Sequence, residues 1–224
     1  MLGTLRLPAM LLAAGDASAA AGTNIAISAA AAASGGLRHA REGRVDWRVV
    51  AWMAPTSVIG AVVGALTGHF MPTRALFGGI AAVLAWNGVD LLVAPFRARP
   101  AASPRLYSAA VFGFVIGLVG GALGVILGTL RMPALLRSVG LDARRAVGTN
   151  LVVGFFLGVA GFAAHAFRLE VEWDLLAAGL VGALPGAWLG ARLTGLIPET
   201  KLRRAIGAAL VVIAAAFAVE ALVG

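Results

Sequence analysis

Two arginines in apolar surroundings are the residues of this chain best suited to chemistry. Arg6 and Arg131 each lie in a seven-residue phrase that occurs twice, at 2–8 and 127–133, with six of the seven positions identical. A guanidinium group in hydrocarbon costs about 2.5–3.5 kcal/mol even on a lenient insertion scale. Because the chain accepts this cost at two matched places, the sequence predicts that both arginines bind an anion, for which the planar guanidinium fork is suited.

The other residues of the phrase indicate an interrupted helix at membrane depth. Glycine permits a close backbone approach or a turn, and proline removes a helical hydrogen bond and kinks the helix. Free N–H groups at the start of a half-helix attract anions. The alternative is that glycine and proline only shape packing, while each arginine extends to an interface. The predicted substrate-binding residues of the two phrases are Gly3, Thr4, Arg6, Pro8, Gly128, Thr129, Arg131 and Pro133.

A second repeated motif, Gly-Thr-Asn, follows each phrase and begins the next predicted span. Its hydroxyl and amide groups are Thr23 and Asn24 in the first copy, and Thr149 and Asn150 in the second. Such groups can line a pore or donate to a substrate oxygen, so we predict that they line the same site. The alternative is a helix cap or a hydrogen bond between helices, which is common in membranes.

Three further polar positions lie in or beside apolar stretches. Asp90, with Asn87 beside it, is the one carboxylate well inside a predicted span. It could pair with Arg6 or Arg131, relay a proton in transport coupling, or form a purely structural ion pair. His39 and His165 end equivalent spans, and we expect them to be polar helix ends.

Composition identifies a helical membrane protein. Hydrophobic residues make up 60% of the chain, charged residues 12%, and the mean hydropathy is +0.93. Soluble domains carry about 25% charged residues. The absence of cysteine excludes disulfides and thiolate metal sites, and the motifs of nucleotide hydrolysis and nucleophilic catalysis are missing. We therefore predict no catalytic residues, no metal and no cofactor, and we ascribe the net charge of +8 to cytoplasmic loops instead of nucleic-acid binding.

The apolar pattern predicts an all-α integral membrane protein with about seven full transmembrane helices and two short, proline-broken helices that are re-entrant or half-length. It divides into a first repeat at 1–96, a cytoplasmic linker at 97–105 and a second repeat at 106–224. In this sequence the first repeat has no counterpart of the second repeat's opening span, and we expect either that the protein dispenses with it or that it lies upstream of Met1. The predicted spans are 18–36, 49–70, 75–96, 106–127, 146–167, 175–197 and 205–223, and the short pieces are 2–14 and 128–139.

Loop charge predicts that the two repeats have inverted topology. Loop 37–48 carries four arginines, whereas its counterpart 168–174 carries one arginine and three carboxylates. Placing the basic loops 37–48, 97–105, 137–145 and 198–204 in the cytoplasm accounts for 13 of the 18 basic residues. With these loops in the cytoplasm, the chain of each half must cross the membrane an odd number of times. The N-terminus then lies inside the cytoplasmic (inner) membrane and the C-terminus outside it.

These motifs resemble those of the sulfite exporter TauE/SafE-like transporters. Members are small membrane proteins with two related halves, each with a glycine-rich stretch, a proline a few residues later and a Gly-Thr motif that opens the next span. The matching segments are 120–124, Gly128 to Pro133 and 147–150 in the second half, and Gly3 to Pro8 and 21–24 in the first. The resemblance covers nearly the whole chain. It implies transport of sulfur-containing or organic anions such as sulfite and sulfonates.

We therefore expect a secondary transporter that moves a small anion across the cytoplasmic membrane, with its site at the midplane between the repeats. The halves would rock about that site to alternate access. The alternatives are a passive anion channel on the same architecture and a membrane-embedded enzyme or subunit. The expected partners are the small anionic substrate and the lipid bilayer, with a homo-oligomer possible and no nucleic acid.

Overall fold

A computed structural model describes residues 17–67, 73–93, 103–123, 128–167 and 171–223. The described chain is helical apart from its short connections, and eight α-helices and one π-helical turn make up the bundle. In chain order they are α1 (Ala17–Arg41), α2 (Trp47–Thr67), α3 (Thr73–Val93), α4 (Leu106–Leu123), α5 (Gly128–Pro133), the π turn (Ala134–Val139), α6 (Ala143–Phe167), α7 (Trp173–Leu196) and α8 (Glu199–Val223).

The predicted class, an all-helical membrane protein, is confirmed. Four segments of the described helices are long and apolar enough to cross a membrane, namely Trp47–Gly64, Ala143–Ala163, Trp173–Leu196 and Glu199–Val219. Two shorter apolar segments are Gly78–Val93 and Leu106–Gly120. The helices follow the predicted spans closely, and the largest difference is at the start of α8. There the charged residues predicted as loop form the first turn, because Arg203 Nε donates to Glu199 Oε1 over one turn at 2.9 Å.

Helix α1 lies antiparallel to α6 at the centre of the bundle. A methyl group added to Gly35 near the end of α1 would lie 3.2 Å from Leu151, and one added to Gly161 near the end of α6 would lie 3.3 Å from Ile25. Helix α7 also packs against α1, while α3 packs against α8. Small residues at each crossing let the helices approach closely, which is the usual basis of helix association in lipid.

The contact between α2 and α4 depends on glycine. A methyl group added to Gly60 would lie 2.2 Å from the Phe114 carbonyl oxygen, and one added to Gly117 would lie 2.2 Å from the Ser57 carbonyl oxygen. Both distances are far below a van der Waals contact, so only a residue without a Cβ atom fits at either position.

The predicted break at Pro133 takes a different form from the one expected. Helix α5 continues through Pro133 and widens into the π turn, which accommodates the proline's missing N–H group. The element ends at Gly140, which adopts a left-handed conformation with φ of +88°. From 128 to 139 it measures about 18 Å, less than the roughly 30 Å of a bilayer core.

The described parts of the four basic loops lie together at one end of the bundle. Two hydrogen bonds join these loops directly, from the Arg105 N–H to the Val139 carbonyl at 3.0 Å and from the Ala143 N–H to Glu199 Oε1 at 2.8 Å. Two more tie them to the end of α7, from Arg44 Nη2 to the Ala191 carbonyl at 3.1 Å and from Arg144 Nη2 to the Ile197 carbonyl at 2.8 Å. The loop that follows α1, the segment before α6 and the segment between α7 and α8 therefore share one end. We call it the basic end.

Candidate functional site

Arg131 is buried in the interior of the bundle. Its residue exposure is 1%, and its Nη1 atom has no hydrogen-bond partner in the described part of the chain. Within the same residues it forms no ion pair with a carboxylate. A buried donor of this kind costs free energy unless something accepts from it. Arg131 therefore has the properties of an anion ligand rather than of an interfacial anchor.

Asn150 holds this arginine in position. The Arg131 Nε donates to Asn150 Oδ1 at 2.8 Å, and Asn150 Nδ2 donates to the Gly128 carbonyl at 3.0 Å. One amide thus connects α6 to both ends of the Gly-Thr-Leu-Arg phrase. Because Nε is engaged, Nη1 is the donor of this guanidinium that remains buried without a partner among the described residues.

Glycines surround that end of the guanidinium. Methyl groups added to Gly154 and Gly128 would lie 3.2 Å and 3.4 Å from Arg131 Nη2. Thr129, on the same short helix, is 2% exposed, and Pro133 is also buried. The predicted residues of the second phrase are therefore brought together with Asn150 in one cluster, in which Thr129, Arg131 and Pro133 are buried and Gly128 and Asn150 are partly buried.

Gly148, the first residue of the second Gly-Thr-Asn motif, touches the loop that follows α1. A methyl group added there would lie 2.1 Å from the Arg44 carbonyl oxygen. The next residue, Thr149, is fully buried, and its Oγ1 accepts the N–H of Asp46 at 3.0 Å. The motif was predicted to line a site, but its glycine and threonine instead fasten a loop. Its asparagine supports Arg131.

The first Gly-Thr-Asn motif makes a matching contact. Thr23 is fully buried, and its Oγ1 accepts the N–H of Glu172, just before α7, at 2.8 Å. Asn24 is also buried, with 8% of its surface exposed. The sequence left open whether the two threonines line a site or form a structural hydrogen bond. In the structure both form a hydrogen bond between segments. Thr23 and Thr149 bond to different interhelical connections, so their hydroxyl groups do not meet in a common site.

Asp90 pairs with Arg137 on the π turn and not with Arg131. Arg137 was assigned to a loop, and its proximity to α3 could not be read from the sequence. The side chains of the pair are 33% and 29% exposed, so both remain in contact with solvent or headgroups. Asn87, predicted to assist Asp90, donates to the carbonyl of Val83 in its own helix at 2.8 Å.

His39 lies in the last turn of α1, as predicted, but it is not at an interface. The residue is fully buried, and neither ring nitrogen has a partner in the described structure. It lies against Gly148, where an added methyl group would be 3.0 Å from its Cβ atom. The loop between α1 and α2 folds back over it, with the Arg44 N–H donating to the His39 carbonyl at 2.8 Å. The side chain of His165 is outside the described structure.

The first copy of the phrase lies outside the described residues, which begin at residue 17. The site residues predicted there are Gly3, Thr4, Arg6 and Pro8, and their roles stay predictions.

Comparison with known proteins identifies the family. A family model described as Sulfite exporter TauE/SafE matches residues 2–217. The chain belongs to this family. The match covers both repeated phrases and both Gly-Thr-Asn motifs, and it confirms the resemblance found from those residues.

Members with curated descriptions match most of this TauE/SafE protein. The probable membrane transporter protein YdhB of Bacillus subtilis (strain 168) is 28% identical over 193 residues, which cover 84% of this chain and 79% of that protein. A probable membrane transporter protein of Xylella fastidiosa (strain 9a5c) is 26% identical over 204 residues, 88% of this chain and 77% of that protein. No solved structure gives a significant match.

Family membership defines the general activity. The TauE/SafE protein is a multi-pass membrane transporter and not an enzyme. Its apolar helices agree with that assignment.

Proposed function

We propose that this protein is a secondary transporter that moves a small anion across the cytoplasmic membrane, and that Arg131 binds the anion. The observation that carries the proposal is the buried guanidinium with an unpartnered Nη1 and no carboxylate partner in the described structure. The family description points to sulfite. Sulfite and sulfonates present several oxygens to the two Nη atoms of one guanidinium, the geometry in which arginine binds oxyanions best.

Two inverted repeats would generate the transport site, and paired contacts support this architecture. The two copies of the phrase are offset by 125 residues, and after one extra residue near Leu141 the later equivalent positions are offset by 126. The bond between Thr23 and Glu172 then has as its equivalent the bond between Thr149 and Asp46. Such exchange of partners is the expected signature of two halves related by a twofold axis. We propose that this axis lies in the membrane plane.

Helix packing supports the same axis. The contact of Gly35 with Leu151 has as its equivalent the contact of Gly161 with Ile25. Both occur between α1 and α6, which are equivalent helices that run antiparallel. A parallel repeat would instead require equivalent helices to run in the same direction, so this packing favours inversion.

The inverted arrangement would bring Arg6 near Arg131. Arg131 Nη2 lies beside Gly154, about 17 Å from the start of a helix about 37 Å long. In the first half, the residue equivalent to Gly154 is Ser28 of α1. Because α1 and α6 run antiparallel with Ala29 against Gly158, Ser28 lies at the level of the residue that follows Gly158 in α6. The two levels differ by five residues, or about 8 Å along the helix axis. Two guanidinium groups at these depths would share one site near the midplane.

Burial of Arg131 implies that helices must separate before an anion reaches it. We infer that the structure represents an occluded arrangement, and that rocking of one repeat against the other opens the site to each side in turn. The loop that follows α1, which contacts Gly148 and Thr149, would move together with α6 as one rigid body.

Ligand-induced thermal stabilisation tests the site. Purified protein in detergent is melted with sulfite, sulfate, a sulfonate or a carboxylate, at constant ionic strength. We expect one class of anion to raise the melting temperature, and we expect Arg131→Ala and Arg6→Ala each to reduce that increase substantially. The matched control is Arg145→Ala, because Arg145 is an exposed residue whose loss leaves the interior intact. Normal stabilisation of both site variants would show that the assignment is wrong.

Reconstitution distinguishes a transporter from a channel. A proton gradient across a vesicle should drive uphill accumulation of the best anion if transport is coupled, whereas a channel only dissipates the anion gradient. Asp90 is the candidate coupling residue from the sequence, but its contact with Arg137 favours a structural role. Uphill transport that survives Asp90→Asn would support the structural role.

A further inference from the structure

Arg44 is a second buried cation, and it lies far along the chain from the Arg131 phrase. It occupies the loop between α1 and α2, with a residue exposure of 8%. Its Nη2 donates to the Ala191 carbonyl at 3.1 Å and contacts the Glu42 carboxylate. Its Nε and Nη1 atoms are buried and have no hydrogen-bond partner within the described ranges. Two donors of one guanidinium are therefore unsatisfied.

Arg144, in the first turn of α6, repeats this pattern. Its Nη2 donates to the Ile197 carbonyl at 2.8 Å, and its Nε is buried without a partner among the described residues. The two carbonyls, of Ala191 and Ile197, are six residues apart at the end of α7, a separation of about 9 Å if the helix is continued through them. The two guanidinium groups thus flank the same helix end.

Positive charge at this place is poorly compensated. Burial lowers the pKa of Arg44 and Glu42 raises it, while the nearby charges of Arg144 and Arg38 lower it further. Glu42 is shared, because it also accepts from Arg38 Nε at 2.8 Å. Its side chain is 38% exposed, so solvent weakens its attraction for both arginines.

Other basic residues at this end already have partners. Arg38 and Arg41 lie over the ring of Trp188, at 5.0 Å and 5.8 Å from its centroid. Arg137 Nε and Arg203 Nη1 are also buried without a partner among the described residues, but these two arginines pair with the carboxylates of Asp90 and Glu199. Arg144 forms no ion pair within the described residues, and Arg44 keeps two unsatisfied donors. Gly195 makes room for this arrangement, since a methyl group added there would lie 2.5 Å from Arg44 Nη1.

We propose that Arg44 and Arg144 form a second anion site, at the basic end of the bundle, for a small oxyanion of the sulfate or phosphate type. The anion would accept from one of the two unsatisfied donors of Arg44, Nε or Nη1, and from Arg144 Nε. It would join the loop after α1 to the start of α6 and the end of α7, and so hold this end closed. The near-complete burial of Arg44 favours a free ion over a lipid phosphate, which would have to enter between the helices.

The experiment uses the full chain in detergent with inorganic sulfate as the probe and sodium chloride to keep ionic strength constant. Every protein carries Arg131→Gln, so the site proposed for transport contributes nothing. We expect sulfate at about 100 times its dissociation constant to raise the melting temperature by about 5–10 °C. Adding Arg44→Gln or Arg144→Gln should remove at least half of this shift. Arg145→Gln, the neighbouring exposed arginine, is the control and should leave the shift unchanged.

Two results would overturn the second site. One is an equal sulfate shift in the Arg44→Gln, Arg144→Gln and control proteins. The other is no shift with sulfate in the Arg131→Gln protein, together with no shift when phosphatidylglycerol is added to the micelles. A shift with phosphatidylglycerol but not with phosphatidylcholine or sulfate, lost in Arg144→Gln, would identify a lipid phosphate as the source of the oxyanion. If Arg44→Gln does not fold, Arg144→Gln and Arg44→Lys provide the same comparison.

Discussion

Asn150 is the residue on which the Arg131 cluster depends. A single amide accepts from the arginine and donates to the backbone of the phrase, which an aspartate or a leucine of similar size could not do. Its neighbours Gly148 and Thr149 act on a different segment, the loop after α1. These three consecutive residues therefore contact two separate segments, the loop after α1 and the Gly-Thr-Leu-Arg phrase. The sequence predicted that this motif matters, but its partners are 19 to 104 positions away and only folding reveals them.

Replacing Asn150 by aspartate should separate binding from folding. The new carboxylate would lie at hydrogen-bond distance from Arg131 Nε and neutralise the charge that attracts the anion. We expect the Asn150→Asp protein to fold, with a melting temperature within a few degrees of that of the parent. The increase in melting temperature caused by the anion, and the rate of anion uptake, should both fall at least tenfold. Melting curves and vesicle uptake measure the two effects. Unimpaired uptake would mean that the charge of Arg131 is not used.

A methyl group at Gly148 should be far more harmful than one on the outer face of α7. The Gly148→Ala Cβ atom would overlap the Arg44 carbonyl, so the loop must leave α6, at a cost of about 1–3 kcal/mol. Gly186 has nothing within 4 Å of an added methyl group, and Gly186→Ala should be neutral or slightly stabilising. Thermal melting in detergent compares them. Equal melting temperatures would contradict the close contact.

Hydropathy and helix geometry predicted the individual elements well, since each span needs only a local run of apolar residues. The differences arise where longer-range contacts act. Helix α8 begins early because Glu199 also accepts the Ala143 N–H at the start of α6, at 2.8 Å, in addition to its contact with Arg203. Pro133 is accommodated by a π turn packed against α4 and α6. The contact of Glu199 with Ala143 joins residues 56 positions apart, so the local sequence around α8 does not reveal it.

The tie between α3 and the π turn gives an element-scale prediction. If the pair of Asp90 and Arg137 is structural, Asp90→Asn should cost no more than about 1 kcal/mol, because both side chains are partly exposed. Anion uptake driven by a proton gradient should then persist, and its dependence on external pH should be unchanged. Loss of the proton dependence at an unchanged melting temperature would instead assign proton coupling to Asp90.

At the scale of the whole molecule, duplication was the most informative feature of the sequence. Thr23 and Thr149, which the duplication makes equivalent, bond to Glu172 and Asp46, which are equivalent as well. Duplication could not predict which residue of each Gly-Thr-Asn motif contacts which segment. It also could not reveal the gathering of Arg44 and Arg144, which have no arginine counterpart in the other half.

Inversion of the repeats makes a prediction that surface labelling can check. Arg48 and Asp174 are equivalent, exposed residues in the first turns of α2 and α7. Because the chain has no cysteine, Arg48→Cys and Asp174→Cys each introduce one reactive thiol. In inverted repeats a membrane-impermeant maleimide should label Asp174→Cys in intact cells and Arg48→Cys only after the membrane is opened. Labelling of both variants from the same side would require parallel repeats, and a common site for Arg6 and Arg131 near the midplane would then lose its geometric basis.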